Sequence, residues 1–113
     1  MNTNYNVMNM INDYMATALK DTVAIIGSEL NDFYKELYLE INEIEIEYED
    51  KYRDSALIER VNKYTNEMVN YINRLNEIEQ EAISLEATEI MIECESFKSL
   101  IINTMIMVQE RFL

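Results

Sequence analysis

Apolar residues recur every third or fourth position along most of this chain, and the pattern is cleanest between Val61 and Leu85. There Val61, Tyr64, Met68, Tyr71, Leu75, Ile78, Ala82 and Leu85 follow one another in strictly alternating steps of three and four, the period of a helix that buries one seam. Between them lie Asn62, Lys63, Asn66, Glu67, Asn70, Asn73, Arg74, Glu77 and Glu79, a solvated set, and neither Gly nor Pro interrupts. The spacing predicts a long amphipathic helix.

The flanking stretches carry the same signal. Met8, Ile11, Met15, Leu19, Val23 and Ile26 predict a first helix over 4–26. Gly27 can take the left-handed position after its end, and Ser28 can cap a second helix over 29–49. The stripe of that helix is Leu30, Phe33, Leu37, Ile41, Ile44 and Tyr48. Within it, Glu43-Ile44-Glu45-Ile46-Glu47-Tyr48-Glu49 alternates with period two, as a half-buried strand does. A strand needs a partner and no other stretch alternates, so helix is the expectation here. A break over Asp50 to Ser55, with Asp54 or Ser55 as cap, precedes the helix over 55–82. The last seam, Ile83, Ala87, Ile90, Cys94, Phe97, Ile101, Met105, Val108 and Phe112, is offset by one residue from the one before it. Either one very long helix absorbs a stutter near Glu81 to Thr88, or Ser84 or Thr88 caps a separate helix over 85–111. The expected fold class is all-α: one domain over 1–113, an antiparallel bundle of three or four helices with coiled-coil-like seams.

The C-terminal segment holds more apolar residues than one seam needs, with Leu100, Ile102, Ile106, Met107 and Leu113 added to the stripe. A helix that is apolar nearly all round is covered on several sides. The sequence therefore points to a homo-oligomer, a dimer through Phe97, Ile101, Met105, Val108 and Phe112; adaptable Met-rich core packing within one chain is the alternative.

Composition narrows the functional classes. The chain has 113 residues, no Pro, no Trp, no His and one Gly, too few turn-forming residues for a β-protein. Without His, Cys–His nucleophile pairs and His-ligated zinc or iron sites are excluded. Cys94 is the single cysteine and sits between Glu93 and Glu95, which suits a small core residue of raised pKa in a reducing compartment. The opening residues lack a signal-peptide pattern, and the most apolar run, Leu100 to Val108, is about half a membrane span. The expected location is the cytoplasm, with no membrane partner.

Twenty-two acidic residues against nine basic give a net charge of −13, and the charge is segmented. From Glu29 to Asp50 nine acids face one base, Lys35; from Glu77 to Glu95 seven acids face none; between them lie Lys51, Arg53, Arg60, Lys63 and Arg74. Such faces keep a protein soluble, and they also suit a basic partner, since strings of carboxylates imitate phosphates and steer a cationic surface. Tyr34, Tyr38, Tyr48 and Tyr52 fall in or beside the first acidic block, where rings add contact area and stack on Arg. The expected partner-binding face is Glu36, Glu40, Glu43, Glu45, Glu47, Glu49 and Asp50 with these four tyrosines. Nucleic acid itself is excluded as a ligand by the charge.

The pairs Glu40/Glu43 and Glu86/Glu89, and Glu47 with Asp50, resemble the carboxylate pairs with which all-helical nucleotide pyrophosphatases of the MazG type hold Mg²⁺. The resemblance implies a Mg²⁺-dependent enzyme but extends no further than these short patterns, and no basic groups for phosphate lie beside them. We therefore expect no enzyme, no cofactor and no metal. In type, a small, acidic chain rich in Ile, Asn and Tyr and without catalytic residues resembles phage-encoded inhibitors of host enzymes or defence systems, anti-CRISPR proteins included. An acidic helical protein that blocks a basic, nucleic-acid-handling protein is the first expectation. A homo-oligomeric coiled-coil adaptor, scaffold or assembly chaperone is the second.

Overall fold

Three helices account for the described residues of the computed structural model, 3–47 and 55–112: α1 Thr3–Glu47, α2 Ser55–Ser84 and α3 Thr88–Phe112. α2 runs antiparallel to α1, because Arg74 meets Glu29 while Arg60 meets Glu40 and Glu47. α3 turns back and runs parallel to α1, with Tyr34 against Thr104 and Glu45 against Arg111. The all-α bundle expected from the spacing is the architecture found, with three helices.

The seams are where the sequence places them. Val61, Met68, Leu75, Ile78 and Ala82 of α2 are buried with Ile90, Cys94, Ile101, Val108 and Phe112 of α3, and Leu19 to Ile44 of α1 close the core. Ile83, expected to begin the last seam, is exposed. Thr104 is the buried polar member: its hydroxyl donates to the Leu100 carbonyl oxygen at 2.8 Å and accepts from Tyr34 Oη at 3.2 Å. The alternating segment through Glu47 is helical, Ile44 facing the core and Ile46 the solvent.

Two boundaries differ from the sequence reading. The helices expected over 4–26 and 29–49 are one helix of 45 residues. Gly27 does not end it, since its φ is negative; a Cβ built there would lie 3.1 Å from Phe97 Cζ, so glycine lets α1 and α3 approach closely. Ser28 accordingly caps nothing. The α2–α3 connection is a Schellman turn. Ala87 N–H donates to the Ala82 carbonyl and Glu86 N–H to the Ile83 carbonyl, and Glu86 takes the left-handed position with φ 56°. Ala87, not Ser84 or Thr88, stands at the entry of α3, its carbonyl accepting from Ile90 and Met91.

Helix lengths decide the shape. At 1.5 Å per residue α1 is about 68 Å long, α2 about 45 Å and α3 about 38 Å, and the described residues extend over 73 × 19 × 17 Å. The hairpin of α2 and α3 covers α1 from Ala16 onward, its turn reaching that level of the helix, and leaves the first four turns of α1 beyond it.

Candidate functional site

One flank of α1 carries Glu29, Asp32, Glu36, Glu40, Glu43 and Glu47, spaced by three and four so that they form a single stripe along the side facing α2. α2 answers at two points. Arg60 Nε lies 2.7 Å from Glu40 and its terminal nitrogens 2.6 Å from Glu47 and 3.9 Å from Glu43. Arg74 Nη1 lies 2.7 Å from Glu29, with its guanidinium 5.5 Å from the Tyr71 ring centre. Between these two clamps, Asp32 and Glu36 of α1 and Glu67 of α2 have no ion-pair partner among the described residues. They rim a shallow groove lined by Glu29, Asp32, Phe33, Glu36, Glu67, Tyr71 and Arg74.

The groove rests on aromatic rings. Phe33 is buried, with Tyr71 at 5.6 Å and Tyr64 at 5.9 Å between centroids. Burial raises the pKa of both phenols, and nearby carboxylates raise it further, Glu40 and Glu36 for Tyr64 and Glu29 for Tyr71. Both tyrosines therefore stay neutral and present a ring face and a hydroxyl to a cation. Lys63 Nζ already stands 5.4 Å from the Tyr64 ring centre.

The face expected from the sequence is divided. Glu36, Glu40, Glu43 and Glu47 come together on the α2 side, but Glu40, Glu43 and Glu47 converge on Arg60. Tyr34, Tyr38 and Glu45 lie on the α3 side, where Tyr34 packs edge-on against Phe33, Tyr38 is exposed and Glu45 pairs with Arg111 at 2.6 Å. Tyr48, Glu49, Asp50 and Tyr52 fall outside the described residues. Asp32, Glu67, Tyr64 and Tyr71 were not assigned to the site by the sequence reading, although the spacing of the acids from Glu29 to Glu47 carried the signal. Of the residues expected to contact a second copy, Ile101, Val108 and Phe112 are buried in this chain's own core, and Phe97 and Met105 pack half-buried against it.

A second charged cluster ties α2 to α3. Lys98 Nζ lies 2.8 Å from Glu95, 3.0 Å from Glu79 and 2.9 Å from Asn76 Oδ1. Burial works against the Lys98 charge, but the hydrogen bonds to Glu95 and Glu79 outweigh it and raise the Lys98 pKa; the same contact lowers that of Glu95. Glu79 Oε2 is buried and has no hydrogen-bond partner among the described residues. Burial, reinforced by Glu79, pushes the Cys94 thiol up, which makes it a core residue and a poor nucleophile.

Among the described residues no three His, Cys, Asp or Glu side chains are placed to hold a metal ion, and no helix is long and apolar enough to cross a membrane. Glu40 and Glu43, one of the carboxylate pairs, are both committed to Arg60. Compared with protein-family models, curated proteins and solved structures, the chain matches none.

Proposed function

We propose that this is a non-enzymatic binding protein that receives a Lys- or Arg-bearing segment of a protein partner in the α1–α2 groove, and so blocks a basic surface used to handle nucleic acid. The observation that carries this reading is the trio Asp32, Glu36 and Glu67, unpaired among the described residues, above Phe33, Tyr64 and Tyr71. The chain already uses the same chemistry on its own cations: Arg60 sits among three carboxylates, and Arg74 sits between a carboxylate and a ring. A partner's guanidinium between those two clamps would meet an equivalent environment. Cytoplasmic inhibition of a host enzyme or defence system by a phage-type protein is the setting that suits an acidic chain of this size.

The test is capture by a tagged copy at about 0.1 M and about 0.5 M salt, on either side of strong screening. A basic nucleic-acid-binding protein is expected to be held at low salt, released at high salt, and lost at both by the triple variant Asp32→Asn, Glu36→Gln, Glu67→Gln. Full capture by a folded triple variant would overturn the reading. A second reading, an assembly adaptor that works through apolar contacts, is favoured by one observation: the uncovered first turns of α1.

A further inference from the structure

The first turns of α1 are built unlike the rest of the molecule. From Thr3 to Leu19 the one formal charge is Asp13, in a chain of net charge −13. Val7, Met8, Met10, Ile11, Tyr14 and Met15 are 45–77 % exposed. Met8, Ile11 and Met15 continue the core seam of Leu19 and Val23 in register, yet no described residue covers them. This segment begins where the α2–α3 hairpin ends, so it is about 20 Å of helix carrying a seam with nothing against it.

A second feature lies at the same end. α2 and α3 leave a groove on the side away from α1, lined by Glu79, Ile83, Thr88, Met91, Ile92, Glu95, Ser96 and Ser99, with no α1 residue among them. Ile83 and Ile92 are exposed in it, and Glu79 belongs to its wall. From Thr88 to Ser99 it runs about 17 Å along α3, close to the length of the free helix.

We propose that the protein is a two-fold dimer in which residues 7–15 of each α1 lie in the α2–α3 groove of the other copy, completing a four-helix arrangement on both sides. The geometry closes without bending either chain. When two copies meet at their hairpin turns, the hairpins lie end to end and each α1 runs on past the junction. It then follows the partner's hairpin on the face opposite the partner's own α1, and that face is the groove. The contact is isologous, so it stops at two copies.

Charge and area both select a second copy as the occupant. Two chains of this acidity repel over most of their surface, and the segment 3–19, like residues 99–109 of α3, lets one approach the other with nearly no like charge, but 3–19 alone also carries an uncovered continuation of the core seam. At the exposures given, Met8, Ile11 and Met15 with the groove's Ile83, Met91 and Ile92 expose roughly 500 Å² of apolar side chain per copy, comparable to the apolar share of the roughly 800 Å² per partner that a stable interface buries. This contact does not depend on the α1–α2 groove, which stays open in the dimer.

Light scattering on the purified chain at about 100 µM should give twice the 13.4 kDa chain mass. Met8→Glu with Met15→Glu, and separately Ile83→Glu with Ile92→Glu, should each raise the dissociation constant about a hundredfold or more, since charge is being placed in a desolvated contact. All four positions are exposed in the single chain, so helicity and melting of the monomer report that folding is intact. A bis-maleimide should join Ile11→Cys to Ile92→Cys between chains in the double variant and in neither single one. A monomer at 100 µM would overturn the proposal. So would a dimer indifferent to both Glu pairs, which would move the contact to the exposed Leu100, Ile102 and Ile106 of α3, and so would cross-linking by Ile11→Cys alone, which would pair the two free helices with each other.

Discussion

The two halves of α1 obey opposite rules. Residues 3–18 carry one charge and leave six large apolar side chains in solvent, whereas residues 19–47 carry eight acids and two lysines and bury eight apolar side chains in an unbroken stripe. In the second half the buried stripe and the acids lie on different sides of the helix, Leu19 to Ile44 facing the hairpin and Glu29 to Glu47 lining the flank toward α2, while Ile25, Leu39 and Ile46 remain exposed elsewhere. In the first half charge and apolarity are separated along the chain, the charge being absent. A helix face that meets its partner within the same chain can be ringed by acids, because Arg60, Arg74 and Arg111 come with the partner. A helix face meant for another equally acidic chain has no such compensation and must give up its charge. That difference is why we assign the bundle half to a basic partner and the free half to a second copy.

The largest effect expected from this comparison is on folding. Ile101→Ala removes a fully buried side chain opposite the bundle half and should cost about 2–5 kcal/mol by chemical denaturation. Met10→Ala in the free half should move the stability of the dilute monomer by no more than about 0.5 kcal/mol. Equal costs would mean that the free half is packed within its own chain.

Next is the Lys98 cluster. Lys98→Met strands Glu79, which is largely buried with one oxygen already unpartnered, and should cost about 1–3 kcal/mol. The pH dependence has a definite sign. Glu95 has a lowered pKa, so its contribution is present above the ordinary carboxylate value, about 4.3, and is lost as the pH falls through the folded-state value. Lys98 has a raised pKa, so its contribution is full below about 10.4 and is lost only as the pH rises beyond that. Stability measured against pH should therefore be flat across neutrality, fall at both ends in the wild type, and fall less steeply at both ends in Lys98→Met.

Salt separates the two halves by direction. Raising it from about 0.1 M to about 0.5 M should weaken binding of an Arg-rich peptide to the α1–α2 groove by tenfold or more, while tightening the dimer severalfold as repulsion between the copies is screened. Titration calorimetry and sedimentation on one preparation check both signs. Two dissociation constants moving in the same direction would break the assignment of one half to charge and the other to apolar contact.

How much of this was legible in the sequence follows from what each signal encodes. The seams of α2 and α3 were read almost residue for residue, because a three–four spacing states which side chains share a face. Met8, Ile11 and Met15 gave the same spacing and are exposed, because a seam shows what can be buried and not which chain buries it. Gly27 misled in the other direction. In one dimension a lone glycine before a serine reads as a helix end, whereas its reason is the Phe97 ring 3.1 Å from where a Cβ would stand, a contact 70 residues away in sequence. The division of the acidic face was legible in principle. At about 100° per residue, Tyr34 and Tyr38 stand some 160° from Glu36 around the axis, so they could not share one surface with it.

The smallest effect lies at the junction of the two halves, in the turn that ends the hairpin. Glu86 holds a left-handed conformation, φ 56°, at the position of the Schellman turn where glycine is the usual residue. A side chain there crowds the following carbonyl at a cost of about 1 kcal/mol, which glycine avoids, although glycine also returns some freedom to the unfolded chain. Glu86→Gly should therefore stabilise the hairpin by about 0.5–1 kcal/mol, a rise of a few degrees in melting temperature for a chain of this length. The measurement belongs in the Met8→Glu, Met15→Glu background, where the chains are expected to be separate and the turn is tested alone. In the wild-type background the same substitution also removes one acid from each copy at the place where the two hairpins would meet. A gain at low salt larger in the wild type than in the charged background would report that meeting directly, and an identical gain in both would place the two turns apart.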